Sequence, residues 1–597
     1  MTPRSPEPVF QNGIEGNTLS VDIQTVANRV AHTRPRVNKR RPPTWTFLVL
    51  GLLLGLVGGP TLTLFFGAMQ SKAPGLPGSE FTLKSILKVY ASDTYLVSLF
   101  GTLAMAVAVG ALAVIFGALV AWILARTDLP HRRLFEIGFI VPLFTAPFLG
   151  AYAWTLIASP RSGLINVNLR WILGTDATFV DVMNVGGLIF VLLLYFAPYT
   201  YLIVSSALKN MDPGLEEASY LNGRGVLSTA WKITLRIVSP SLAAGFLFIS
   251  IIATGVFAVP EVLGLNISGF QPLAMRVYRT MQVYPSDPPL GAALGTLLFW
   301  FTFAGIYLYR RAVRNSSRFV TISGRATRAR RVKLGKWKWL VGSIFWLYMT
   351  LTILLPYSVL FLVSLTPYPS TDLRKLTLSF DSMIEFATNS NTLVALGNTV
   401  VLALVVPTIT VVLGLFVGYI VIRQRGWIGA VVDYVATFPI AIPGIVFAAG
   451  MLWLYVRSPI YGTIFVLIIA LVAVYLPHAN RFITSGLTQI DPSLEEAAII
   501  NGASKLRMFR TIVLPLIKPS ALSVWVLLLV FSVRDVNEAV ILSGPNSRPL
   551  SVLAFGYMGQ GYINAVAVVG FMLTLVIILG IVLSRYILGA KLDTERL

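Results

Sequence analysis

Residues 491–502 read Asp491-Pro492-Ser493-Leu494-Glu495-Glu496-Ala497-Ala498-Ile499-Ile500-Asn501-Gly502, and residues 212–223 read Asp212-Pro213-Gly214-Leu215-Glu216-Glu217-Ala218-Ser219-Tyr220-Leu221-Asn222-Gly223. Each copy lies between strongly apolar stretches and is followed by a basic amphipathic run that ends at a proline, Pro240 or Pro519. Asp212 and Asp491 suit the cap of a helix, with Pro213 and Pro492 at the first helical position, where a missing N–H costs nothing. Glu216, Glu217, Glu495 and Glu496 fall in the early turns, next to the positive end of the helix dipole. Gly223 and Gly502 supply a left-handed residue that ends the helix. The expected product is a short helix, a sharp bend and a second helix, made twice. Repeated in so apolar a chain, it reads as a docking device for a partner; the plainer alternative is a well-capped interfacial helix.

The surroundings are those of a membrane protein. Of 597 residues, 56% are hydrophobic and 12% charged, about half the charged fraction of an ordinary soluble domain. Apolar runs long enough to cross a bilayer lie near residues 45–69, 95–125, 134–158, 185–208, 241–263 and 290–309, and again near 339–365, 393–422, 430–455, 464–482, 521–541 and 565–587. The excess of 47 Lys and Arg over 25 Asp and Glu collects in short segments between those runs, which is the pattern of orientation in a membrane rather than of nucleic-acid binding. Eleven basic residues and no acidic one fall between Arg310 and Lys338, and Arg34, Arg36, Lys39, Arg40 and Arg41 precede the first run. Both segments are expected in the cytoplasm, as are residues 126–133, the two motifs and both termini. The first 44 residues carry no apolar core of a signal peptide and read as a disordered leader.

The halves repeat each other. Thr102, Gly117, Arg126 and Pro142 match Thr399, Gly414, Arg423 and Pro439 at a separation of 297, while Pro198, Gly223 and Pro240 match Pro477, Gly502 and Pro519 at 279. An even number of spans per unit gives both units the same orientation, as in parallel repeats, with a translocation path between them. The chain is therefore expected to be all-α: a polytopic membrane protein of about twelve transmembrane helices in two parallel six-helix repeats. Its divisions are a leader (1–44), a first unit (45–312), a basic linker (313–338), a second unit (339–590) and a tail (591–597).

The absence of cysteine excludes disulfides, zinc–thiolate sites and iron–sulfur clusters. No Gly-rich loop ending in Gly-Lys-Ser or Gly-Lys-Thr occurs, so ATP hydrolysis by that route is not expected of this chain. Near the outer ends of two apolar runs lie Glu261 and the group Arg534, Asp535 and Glu538. Ionisable residues there cost about 2.5–3.5 kcal/mol each on insertion scales and ordinarily face a polar path or a partner. Two readings stay open: Arg534 pairs with Asp535 or Glu538 to fix packing or a gate, or the group meets substrate, with carboxylates as hard ligands for a hard cation. No resident metal is assigned. His478, matched to Tyr199 in the first half, reads as a packing or hydrogen-bonding residue.

The duplicated loop resembles the signature of the membrane permeases of ABC importers, Glu-Ala-Ala, three residues, Gly, nine residues, Ile, one residue, Leu-Pro. Glu496, Ala497, Ala498, Gly502, Ile512, Leu514 and Pro515 fit it fully. The first copy keeps Glu217, Ala218, Gly223, Ile233 and Leu235 but has Ser219 for the second alanine and Arg236 for the proline, which leaves its bend less tightly specified. The resemblance runs from about residue 45 to 587 and implies the MetI-like permease fold. It further implies that Glu216, Glu217, Ala218, Gly223, Glu495, Glu496, Ala497 and Gly502 form two coupling helices that seat two copies of a separate ATPase. ATP and Mg would then be bound by that ATPase and no cofactor by this chain. Also implied are a periplasmic or lipid-anchored substrate-binding protein, surrounding membrane lipids, and a multi-pass location in a bacterial plasma (inner) membrane. The fused units, with residues 533–542 and 259–264, look most like the ferric-iron permeases; thiamine, polyamines, phosphonates and sugar phosphates are alternative substrates. An ion-gradient-driven secondary transporter is the rival of another class, since twelve spans in parallel halves describe it too.

Overall fold

The computed structural model describes residues 43–265, 269–316, 331–367, 371–424 and 426–588. The leader, the middle of the central linker and the carboxyl-terminal tail lie outside them. Among the described residues ten helices are long and apolar enough to cross a bilayer, five in each half. They are Thr44–Ala68, Asp93–Arg126, Val185–Lys209, Val226–Thr254 and Pro288–Arg311, then Trp337–Ser364, Ser390–Arg423, Ile464–Thr488, Lys505–Arg534 and Ile563–Ser584. Their uncovered faces are apolar, as at Leu48 (75% exposed) and Val97 (70%), which suits hydrocarbon and not water.

The third span of each half, expected at 134–158 and 430–455, is a bent pair of helices. Arg132–Phe144 meets Pro147–Ala158 at 98°, and Trp427–Ala441 meets Gly444–Tyr455 at 107°. With each bent pair counted as one span the total is 12. Proline is the cause. Pro142 and Pro439 open tight turns at Val141–Phe144 and Phe438–Ala441, and Pro147 and Pro443, which have no N–H of their own to continue the ladder, push the residue before them out of helical conformation.

The fifth and eleventh spans are also displaced from their expected limits of 241–263 and 521–541. Both begin earlier, at Val226 and Lys505, because the basic amphipathic run after each motif is itself the start of the helix. Both stop short, at Thr254 and Arg534, and the chain turns into short helices, Ala258–Val262 and Ala539–Leu542. Glu261, Asp535 and Glu538 thus stand beyond the long helices rather than within them.

The matched residues have matched tasks. Thr102 Oγ1 accepts the N–H of Leu273 at 2.9 Å and Thr399 Oγ1 accepts that of Leu550 at 2.8 Å, so each caps the helix that opens there, Leu273–Gln282 or Leu550–Gly559. Gly117 and Gly414 let the second and eighth spans close on their neighbours. A Cβ on Gly117 would stand 2.8 Å from the carbonyl oxygen of Ala197, and one on Gly414 2.8 Å from Cβ of Ala479, the close approach that small residues give in membranes.

The first span of each half packs on the bent span of the other. Thr63 Oγ1 donates to the carbonyl of Gly450 at 2.8 Å, and a Cβ on Gly450 would lie 2.0 Å from the Pro60 carbonyl oxygen. Reciprocally, Tyr348 stacks on Phe139 at 4.5 Å between ring centres and donates its hydroxyl to the Leu194 carbonyl at 2.8 Å. The core consequently runs unbroken through both halves. The end of the central linker returns to the first half as well: Asp128 N donates to the Val332 carbonyl at 3.1 Å and Leu334 N to Asp128 Oδ1 at 2.8 Å, which puts the linker beside the end of the second span.

Candidate functional site

The duplicated motif folds as a short helix and a bend in both copies. The second copy forms a helix over Pro492–Ile500 capped by Asp491, which accepts the Ser493 N–H at 2.9 Å; that bond holds the Asp491 carboxyl below its usual range. In the first copy the regular helix is Gly214–Leu221, one residue later than the expected start at Pro213, and Asp212 accepts from Gly214 N at 2.9 Å. Gly223 has φ 78° and Gly502 φ 81°, the left-handed conformation required of them. Arg224 N reaches back to the Ser219 carbonyl at 3.2 Å and Ala503 N to that of Ala498 at 3.0 Å. After each bend the helix has one wide π turn, Ala230–Thr234 and Phe509–Val513. The two bends therefore match although Arg236 replaces proline in the first, because the wide turn precedes that position.

Each glutamate pair is divided in its task. Glu217 and Glu496 are exposed, beside exposed Ala218 and Ala497. Leu221, at 90% exposed, and Ile500, at 84%, extend the same open face. Glu216 and Glu495, expected with Glu217 and Glu496 in the coupling helices, are buried. Glu216 Oε2 lies 2.8 Å from Arg126 Nε, and Glu495 Oε1 lies 2.7 Å from the guanidinium of Arg423. The arginines end the second and eighth spans and also donate to the Leu208 and Ile490 carbonyls, at 3.1 and 3.0 Å. A carboxylate on that side of the helix is tolerable inside the protein only because its counter-charge comes with it. Sequence reasoning singled out Arg126 and Arg423 as matched residues without assigning them to the site. The signal was there: both members of each pair recur, one at a separation of 297 and the other at 279.

The charged group at the ends of the fifth and eleventh spans divides differently. Arg534 makes no ion pair with Asp535 or Glu538 among the described residues. Its Nη1 donates to the carbonyls of Leu143 and Thr145, at 2.5 and 3.1 Å, and its Nη2 to the Tyr199 hydroxyl at 2.9 Å. The guanidinium of the second half thus closes carbonyls freed by the bend in the third span of the first half. It also sits 4.7 Å over the Phe531 ring, which meets His478 edge-on at 5.5 Å. Tyr199, Arg534, Phe531 and His478 form one chain of contacts linking positions that follow Pro198 and Pro477. The opposite corner is closed by the first half, where Thr302 donates to the Ala441 carbonyl at 2.6 Å.

Glu261 pairs with Arg279 through two contacts of 2.6 and 2.8 Å, a partner that no residue pattern singles out. Asp535 accepts from Tyr475 at 3.2 Å and from Glu538 N at 3.2 Å. Glu538 is 2% exposed, and a Cβ on Gly444 would stand 2.1 Å from its Oε1, so it presses on the corner of the second bent span. Arg534 thus faces the bend of the third span and Glu538 that of the ninth, with Asp535 held by Tyr475 and the Glu538 N–H, while Glu261 stays in its own half. No cluster of three or more His, Asp or Glu side chains suited to a metal occurs among the described residues.

The family described as binding-protein-dependent transport system inner membrane component matches residues 113–318 and again 410–591. The chain belongs to that family. The match falls twice on one chain, once over each motif, so this inner membrane component carries two permease units. It is 26% identical over 549 residues to the ferric transport system permease protein FbpB of Actinobacillus pleuropneumoniae, covering 91% of this chain and 77% of that one. The Fe(3+)-transport system permease protein FbpB 2 of Haemophilus influenzae is 23% identical over 541 residues, with 90% and 97% covered. The putrescine transport system permease protein PotI of Escherichia coli is 28% identical over 183 residues, 29% of this chain and 65% of that one. A solved bacterial ABC transporter involved in the import of alginate aligns with 46% of this chain at 16% identity and TM-score 0.34. This inner membrane component is a transport permease, which removes the ion-gradient-driven rival.

Proposed function

We propose that this permease is the complete transmembrane part of an ATP-driven importer of ferric iron. Two copies of a separate ATPase seat on the two motif loops, and a separate binding protein, periplasmic or lipid-anchored, delivers substrate at the opposite face. The observation that carries the docking reading is the division of each glutamate pair. One glutamate is committed inside the protein, which leaves Glu217, Ala218 and Leu221, and Glu496, Ala497 and Ile500, on open faces at corresponding places. Closure of the ATPases moves these helices and, with them, the spans that end beside them. The corner closed by Arg534 is the gate: it joins an end of the eleventh span to the bend of the third across the meeting of the halves. ATP and Mg belong to the ATPase, and this chain carries out no covalent chemistry.

The leader, linker and carboxyl terminus are assigned to the cytoplasm from their basic residues. Because the chain has no cysteine, single cysteines report on this directly. An impermeant thiol reagent outside sealed cells is expected to label Lys72→Cys and to spare Lys336→Cys, both of which replace exposed residues. Labelling of Lys336→Cys from outside would reverse the assignment.

Iron as the substrate rests on relatives that align along nearly the whole chain. A polyamine is the second reading, favoured by the putrescine permease, whose likeness covers a much smaller share. In a strain without other iron uptake routes, loss of this permease is expected to abolish growth under iron limitation. Glu538→Gln is expected to lower iron uptake several-fold without loss of the assembled complex. Undiminished growth of the deletion strain would reject iron.

A further inference from the structure

We infer that the two motif loops are joined to the membrane spans by unequal links, the first fastened to two spans and the second to one through the Arg423–Glu495 pair. The inference rests on the reading that the loops seat ATPases, and concerns what happens to the motion after it is received.

In the first half the loop is tied in two directions. Arg126, at the end of the second span, pairs with Glu216. From the fifth span, Thr234 donates to Glu216 Oε1 at 2.6 Å, and Thr229 shares a buried hydrogen bond of 2.8 Å with Ser219. Ser219 is the residue that departs from the alanine of the motif, and Thr229 is its partner. These bonds are directional and short, so the loop, the second span and the fifth span move as one body.

In the second half the corresponding residues are Ala498, Met508 and Val513. All three belong to an apolar cluster with Ile483, Leu487 and Ile517. Among the described residues the polar ties of Glu495 come from one element: Arg423 at 2.7 Å and the Tyr419 hydroxyl at 3.1 Å, both on the eighth span. Apolar contact resists separation but has no preferred direction. The second loop can therefore roll against the eleventh span while staying hinged to the eighth. The first loop delivers its ATPase's movement to two spans together. The second delivers it to the eighth span through one strut and lets the eleventh, which carries Arg534, follow by sliding. Arg126, Glu216, Arg423 and Glu495 are positioning residues on this account: buried, or in Arg423 half-buried, they act through the exposed faces beside them.

The test uses the whole transporter, permease with ATPase and binding protein, in proteoliposomes, and measures ATPase retained, ATP hydrolysed and substrate moved per ATP. Glu495→Gln and Arg423→Gln are each expected to keep the ATPase bound and to lower substrate moved per ATP about tenfold, since the second loop then keeps no charged tie to a span. The reversed pair, Arg423→Glu with Glu495→Arg, is expected to restore the ratio to within about threefold of the parent. Glu216→Gln alone is expected to change it less than about threefold, because the Ser219–Thr229 bond remains. Adding Ser219→Ala and Thr234→Val is expected to bring the first half down to the level of Glu495→Gln. Equal losses from Glu216→Gln and Glu495→Gln would overturn the inference, as would a loss that tracks ATPase release or a reversed pair that inserts normally without recovery. Failure of the docking reading looks different: Glu217→Lys with Glu496→Lys would then leave ATPase retention and its stimulation unchanged.

Discussion

A permease carrying Gly502→Val together with Gly223→Val is expected to insert, fold its spans and yet lose transport almost completely. Both glycines hold left-handed backbone, at φ 81° and 78°. Forcing an L-residue into that conformation costs about 1–2 kcal/mol per position. Acting on both loops, this disfavours the native pair of bends by about 2–4 kcal/mol, a factor of roughly 30 to 1000 in population. A Cβ at either position would meet no atom within 4 Å, so the substitution strains the backbone without disturbing packing. That property makes it a clean probe of the bends. The two positions are expected to contribute equally, because their dihedral angles and hydrogen bonds match. Asparagine tolerates the left-handed region, and Gly502→Asn is expected to retain most activity. Transport at the parental rate in the double valine variant, with normal stimulation of the ATPase, would remove the loops from the coupling path.

Loss of Arg534 is expected to release the transporter from control by its binding protein. Arg534→Ala removes three hydrogen bonds from a charged donor to the other half, each worth about 1.5–3 kcal/mol. Loss of even the weakest shifts two conformations against each other by about tenfold. The expected result is a rise of that order in ATP hydrolysis without binding protein, together with a fall in substrate moved per ATP. Arg534→Lys is expected to lie between, because one ammonium cannot hold the planar fork that serves Leu143, Thr145 and Tyr199 together. Hydrolysis in Arg534→Ala that still requires loaded binding protein to the parental degree would show that this corner is not the gate.

Much of this was legible in the residues. Hydropathy located every span, proline and glycine spacing exposed the duplication, and the caps and glycines of the motifs specified their local form. The bends of the third spans are not legible in hydropathy, which averages over a run and is blind to direction. Pro142, Pro147, Pro439 and Pro443 marked them nonetheless. The burial of Glu216 and Glu495 was hidden for a different reason. Two adjacent glutamates look alike in sequence, and which faces inward depends on an arginine 90 residues earlier in the first half and 72 in the second. The partners of Arg534 lie farther still along the chain, at Leu143, Thr145 and Tyr199, and they are mostly backbone carbonyls, which no side-chain pattern announces. Charge alone favoured Asp535 or Glu538.

The exchange of first spans bears on how the molecule is made. When the ribosome has finished the first six spans, the bent span of that half still lacks the Phe345 and Tyr348 surface it will pack against, and the first span, though Phe65 already meets Phe299 and Trp300 of the sixth, keeps Thr63 facing where Gly450 will arrive. The nascent first half is an unfinished object held in the membrane until translation supplies its counterpart. Carrying both halves on one chain fixes their ratio and brings the missing partner within a linker's reach, where two separate products would have to find each other by diffusion before proteases found them.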